Sequence, residues 1–328
     1  MCSNITSVCY GVYDRKVTQE KHSASVWVFT ASGFLHSICS GQKEIVERHL
    51  LVEGFSDESD SVIRLISPEG ESFDTSDTRI WSIDHYDIRS ENVAGMLVAP
   101  FLLSSLSLDL QNIGRTVLEI GLGGGSFSMA LHKIQPNVNI TVVEIDPVVL
   151  SIAQEWFGVT NSTNHHIIID DGLNFIKDSV TKSLKFDVLV LDACDNAIKS
   201  PCPGKNFRNF TILKQMRDLL TFTVHLCIIK MFDCCLANSC KAFPVNCGSG
   251  FLQDVIEKLE EELIIELFTS VFPTCLQMRI YEVNSIVLTC VPYTIADVRE
   301  QMNFYKIQLP KVVSQMHLEN VLRHVILV

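Results

Sequence analysis

The sequence predicts an α/β fold: a parallel sheet with helices on both faces, preceded by a smaller β-rich region. Three observations predict it. Apolar runs alternate with helical patterns from Arg115 onward, a glycine-rich segment follows the first of those runs, and the residues before about 90 read as short strands split by turns. At 328 residues the chain can form one large domain or two modest ones and bury its core without disulfides or metals. With 47% hydrophobic and 20% charged residues it is neither disordered nor fibrous. Lys plus Arg number 26 against 38 Asp plus Glu, a net charge of −12, which argues against wholesale binding to nucleic acid or an anionic membrane.

The elements follow in order. Val26–Phe29 and Val62–Ile66 are strand-like, with a solvated acidic and serine-rich loop at Gly54–Ser61 and a turn at Pro68–Glu71. Residues 90–108 carry a helical apolar pattern, Val93, Met96, Leu97, Phe101 and Leu102, with Pro100 kinking it or marking a boundary. Thr116–Ile120, Asn139–Val143, His166–Ile169 and Phe186–Leu191 are buried strands, the first two followed by helices through Met129–Lys133 and from Pro147 to Trp156. An acidic helix surrounds Glu257–Glu262, its charges a solvated face. Leu276–Tyr281 and Ser285–Thr289 would form an antiparallel hairpin at the sheet edge, turning through Glu282–Asn284.

Chemistry concentrates at the strand ends. Glu119-Ile120-Gly121-Leu122-Gly123-Gly124-Gly125-Ser126 follows the first strand, where glycines let the backbone turn and approach a ligand at a helix N-terminus. By itself this is also a plain strand-to-helix turn. Glu144 stands about 20 residues further on, where a carboxylate can accept both ribose hydroxyls of a nucleoside. Asp146, before Pro147, reads as a helix N-cap. The carboxylate of Asp171 either accepts an adenine amine or caps the next helix. Asp192 and Asp195 follow the fourth strand, and an unpaired buried Asp192 would be costly, so it is expected in a cleft. Nicotinamide-type and adenosyl-type sites share the glycine loop and the ribose acid, and the two later acidic strand ends favour adenosyl chemistry.

Here the sequence resembles a known family. Gly121–Ser126, Val143–Pro147, Gln154–Gly158, Asp171–Leu173, Phe272-Pro273, Glu282–Asn284 and the terminal Val321–Val328 are similar to the spermidine-synthase-like branch of class I S-adenosylmethionine-dependent methyltransferases. The nearest likeness is to the methyltransferase-like protein 13 family, which methylates translation elongation factor 1 alpha. The resemblance spans roughly 90–328 and implies a Rossmann-like seven-stranded sheet there, with residues 1–89 a β-rich region. It implies S-adenosylmethionine as cofactor, held by Glu119, Gly121, Gly123, Glu144, Ile145, Asp171, Gly172 and Asp192, with Asp192 and Asp195 at the reaction and no metal. It further implies a protein substrate, such as that elongation factor, methylated on its N-terminal α-amine or a lysine. The matched part corresponds to the family's C-terminal, N-terminus-methylating half, and the lysine-methylating half is expected to be absent. Homodimers are an expectation of the same branch.

Two departures bear on function. Aminopropyltransferases carry Tyr-His-Glu-Met ahead of the glycine strand, whereas this chain reads Val93-Ala94-Gly95-Met96. Their Asp-rich run after the fourth strand is half kept, as Asp192-Ala193-Cys194-Asp195-Asn196, so polyamine synthesis from the decarboxylated cofactor stays open as an alternative. Residues 222–249 hold His225, Cys227, Cys234, Cys235, Cys240 and Cys247 without the close pairing that zinc requires. That irregular window keeps a second alternative open, a non-catalytic binding module. Met1–Ser7 shows no basic stretch followed by an apolar run, so the expectation is a cytoplasmic chain with reduced thiols among its twelve cysteines.

Overall fold

The computed structural model describes residues 9–11, 17–21, 24–37, 41–52, 61–72, 76–109, 111–195, 202–221, 226–232, 250–280 and 285–328. Outside the described residues lie the expected turn at Glu282–Asn284, the loop residues 54–60, Asn196, and the cysteine window's His225, Cys234, Cys235, Cys240 and Cys247.

The first sheet is antiparallel. It comprises β1 (Cys9–Gly11), β2 (Val17–Lys21), β3 (Ala24–Ser37), β4 (Gly41–Val52), β5 (Ser61–Ile66) and β6 (Ser82–Ile88), with β3 through β6 as consecutive neighbours. Then follow α1 (Glu91–Leu102), β7 (Thr116–Ile120), α2 (Ser126–Ile134), β8 (Asn139–Glu144), α3 (Pro147–Trp156) and β9 (His165–Ile169). The chain continues through α4 (Gly172–Thr181), β10 (Val188–Leu191), α5 (Phe210–Asp218), β11 (Leu226–Phe232), α6 (Gly250–Val271), β12 (Thr274–Ile280), β13 (Ser285–Val291), α7 (Val298–Gln315) and β14 (Val325–Leu327).

The second sheet runs β14-β12-β13-β11-β10-β7-β8-β9, and β7 through β11 pair in parallel. Among the described residues it has eight strands where seven were expected, because Val325–Leu327 pairs antiparallel with β12 and adds an outer strand. The antiparallel β12–β13 hairpin is present, but β13 sits inside the sheet between β12 and β11. α1 ends at Leu102 rather than running to 108, with Pro100 inside its last turn.

Side chains alternate across the strands, so each strand feeds two cores. Val117, Val188 and Val190 join the apolar cluster beneath α1, α2 and α7, and Leu118, Ile120, Leu189 and Leu191 join the cluster beneath α4, α5 and α6. The first sheet docks on α3 through Leu50 and Ile63 against Ile152 and Phe157. Arg48 ties the same junction. It is 2% exposed, donates to the carbonyls of Trp156 (2.6 Å) and Thr78 (2.7 Å), and lies over the Trp156 ring.

The cysteine expectation is corrected in part. Cys275 and Cys290 stand directly opposite on β12 and β13 and are bonded, as are Cys194 and Cys202, whose Cα atoms lie 4.9 Å apart. Sequence spacing could not show either pairing, because both partners are brought together by tertiary structure.

Phe157 is fully buried at the junction of the first sheet, α3 and the glycine loop. Phe157→Ala is expected to lower stability by about 3–5 kcal/mol in urea unfolding. A loss below about 1 kcal/mol would show that the junction does not hold the two sheets together.

Candidate functional site

The parallel strand order reverses at β7. The chain proceeds outward through β8 and β9, then returns to place β10 on the other side of β7. Such a switch point, at the carboxyl ends of β7 and β10, is the crevice where open α/β sheets bind ligands. Asp192 N–H donates to the Ile120 carbonyl at 2.9 Å, extending the β7–β10 ladder into the loops. Gly121 has φ +96°, and a Cβ there would collide with the Asp192 carbonyl. Only glycine satisfies both demands.

Each expected site residue can be placed. Glu144 is 7% exposed, and its two oxygens accept the Leu122 and Asp146 amides, each at 2.9 Å. It thus ties the glycine loop to the end of β8. Burial pushes its pKa up and those amides pull it back. The Ile145 amide adds to that pull, and a carboxylate's four acceptor sites leave room for a hydroxyl donor. Ile145 beside it is 68% exposed, an apolar surface at the cleft side of β8. Asp146 caps α3 through the Val148 amide at 2.8 Å, as expected.

Asp171 caps α4, accepting the Leu173 amide at 2.8 Å, so the capping reading describes at least one of its oxygens. Gly172 is buried, and a Cβ there would sit 2.6 Å from Ile120 Cγ2 and 3.2 Å from the Phe207 ring. Gly123 has φ +52° and faces the Ser61 hydroxyl. Asp192 is half-buried at the end of β10. Asp195 is also half-buried, and its carboxylate accepts the Lys205 amide at 2.8 Å, which fastens the returning loop.

Glu119 is the most unusual group. It is 1% exposed, and its Oε2 has no hydrogen-bond partner among the described residues. Burial raises its pKa well above the ordinary carboxylate range; the Asp192 charge adds to this and the Ser128 hydroxyl offsets part of it. A buried acid within the field of a second acid suits a cationic ligand group.

Two contributors were invisible in the sequence. Ser61 accepts the Gly124 amide at 2.9 Å from β5, 63 positions away. Phe207 packs against Gly172 from the loop after β10. Neither belongs to a local pattern. Among the described residues, no group of three or more His, Cys, Asp or Glu side chains is placed to hold a metal.

Comparison with known proteins agrees with this geometry. Residues 102–221 match the family profile of the spermine/spermidine synthase domain. The chain is 31% identical over 173 residues to the mouse (Mus musculus) eEF1A lysine and N-terminal methyltransferase, covering 50% of this chain and 25% of that protein. The chain thus spans about a quarter of the length of the curated relative. Human methyltransferase-like protein 13 in complex with SAH superposes with a TM-score of 0.51 at 24% identity, covering 72% of this chain and 94% of that one. A probable spermidine synthase from Corynebacterium glutamicum superposes with a TM-score of 0.52 at 12% identity, covering 93% and 94%. These likenesses establish the class I methyltransferase-like α/β fold and bear out the resemblance read from the sequence.

The raised Glu119 pKa has a pH consequence. An acid whose folded pKa exceeds its unfolded value stabilises the fold below the unfolded value, near 4.5, and loses that contribution as pH rises through the folded value. Glu119→Gln should therefore gain stability relative to the native chain as pH rises from 4.5 towards the folded value, measured by urea unfolding. A difference that stays flat over that range would contradict the placement of Glu119.

Proposed function

We propose that this chain is an S-adenosylmethionine-dependent protein methyltransferase acting on an amine. The observation that carries the reading is the convergence at one crevice of the Gly121–Gly125 loop, the Glu144 carboxylate and Asp192, at the switch point between β7 and β10. The relatives named for lysine and N-terminal methylation support it.

The residues present fit the cofactor. The loop at Gly121 and Gly123 offers backbone without side chains, Glu144 lies where ribose hydroxyls would donate, and exposed Ile145 with Asp171 and Gly172 would border the adenine. Glu119 and Asp192 would face the cationic end. When bound, the cofactor supplies an electrophilic methyl group on a sulfonium. The protein's contribution is then position and electrostatics.

The acceptor must present a neutral nitrogen. An α-amine has a pKa of about 7.7–8.0 and lysine about 10.4, so neutral lysine costs about 3.5 kcal/mol more. The N-terminal amine is the easier acceptor, and an elongation factor's N-terminus is the first candidate. Asp192 orients the amine and receives its developing charge, while Asp195 holds the loop beside it through Lys205.

Polyamine synthesis is the second reading, favoured by the matched spermine/spermidine synthase profile and by the Asp192/Asp195 spacing. Against it, Val93–Met96 is buried in α1, and Gly95 faces Ile280 and Val287 with no room for a polar side chain.

The experiment is methyl transfer from labelled S-adenosylmethionine to purified elongation factor 1 alpha. Transfer to the N-terminal residue is expected, and Asp192→Asn should lower turnover at least about tenfold while changing cofactor affinity less. Turnover unchanged in Asp192→Asn would remove that residue from the reaction. No transfer to any amine, N-terminal or lysine, would contradict the reading.

A further inference from the structure

The loop that follows Asp192 is closed twice over. Three hydrogen bonds return it to the end of β10 or to itself: Gly204 N–H to Ala193 O at 2.8 Å, Lys205 N–H to Asp195 Oδ2 at 2.8 Å, and Arg208 Nε to Pro203 O at 2.6 Å. The Cys194–Cys202 disulfide joins the same two limbs across a sequence separation of eight. Both limbs touch the cleft. Cys194 stands two residues after Asp192, whose carbonyl seats Gly121, and the other limb leads to Phe207 against Gly172. The two cysteines differ in access, since Cys202 is 3% exposed and Cys194 is half-buried.

We propose that Cys194 and Cys202 form a reversible redox modification site that sets the order of the cofactor cleft, its partner being a dithiol reductant. A thiolate of the reductant attacks Cys194 Sγ, the disulfide breaks, and Cys202 leaves as a thiolate and takes up a proton. The reductant's second thiol then displaces Cys194, which leaves as a thiol, and the reductant carries away the disulfide. Oxidation removes loop freedom that the hydrogen bonds alone must otherwise restrain. The oxidised chain therefore keeps Asp195 on Lys205 and Phe207 on Gly172, and the reduced chain holds them weakly. The effect on the cofactor rests on the function proposed above.

The test compares the full chain, oxidised and treated with dithiothreitol, by amide hydrogen exchange at Gly204 and Lys205 and by titration with S-adenosylmethionine. Reduction is expected to speed exchange at both amides at least about tenfold and to weaken cofactor binding several-fold. Cys194→Ser should behave as the reduced chain under both conditions, which separates this pair from Cys275–Cys290. Unchanged exchange on reduction overturns the proposal, as does a Cys194→Ser variant that still responds to dithiothreitol. Faster exchange with cofactor affinity held within twofold overturns the link to the cleft. Exchange needs no ligand, so absence of cofactor binding in both states would sink the methyltransferase reading while the exchange result still judges the redox site.

Discussion

The contact between Gly121 and the Asp192 carbonyl is the constraint on which the rest of the site depends. Strands β7 and β10 are neighbours, and their ladder continues one step beyond the sheet through Asp192 N–H and the Ile120 carbonyl. That step brings the two loop bases too close for any side chain at Gly121. Once the loop bases are fixed, Glu144 pulls in the Leu122 amide, Ser61 takes the Gly124 amide, and Gly172 admits Phe207. The crevice is thus a result of strand order and backbone packing, and its side chains are set by it.

The electrostatics follow from the same crowding. Glu119 and Glu144 lie on adjacent strands with little access to water, and the Asp192 charge after β10 acts on Glu119. Burial raises the pKa values of Glu119 and Glu144. A ligand with positive charge relieves that repulsion. These acids and the chain's net charge of −12 therefore suit a cationic sulfonium.

Strands β7, β8, β9 and β10 were legible because they are short apolar runs bounded by glycine or acid, and each fell within two residues of the expected place, whereas β11 was not located in the sequence. The caps at Asp146 and Asp171 were legible for the same local reason. What stayed hidden was non-local. β14 was not expected because Val325–Leu327 is only three residues long, too few to show a period. The interior position of β13 depends on β11 pairing along its other edge, which no local pattern records. Ser61 and Phe207 reach the site from segments with no motif, and the paired cysteines meet only once the loops have folded. Asp195 shows the reverse case. Its spacing marked it for chemistry, and the fold also uses it to fasten a loop.

The central claim is that this crevice recognises S-adenosylmethionine. The most direct measurement is a paired titration of the purified chain with S-adenosylmethionine and with its decarboxylated form, which differ only in the methionyl carboxylate. A hydrogen-bonded carboxylate contributes roughly 1.5–3 kcal/mol, so the intact cofactor should bind at least about tenfold more tightly. Preference for the decarboxylated form would contradict the account in favour of polyamine synthesis, and binding of neither would show that the crevice is not a cofactor site.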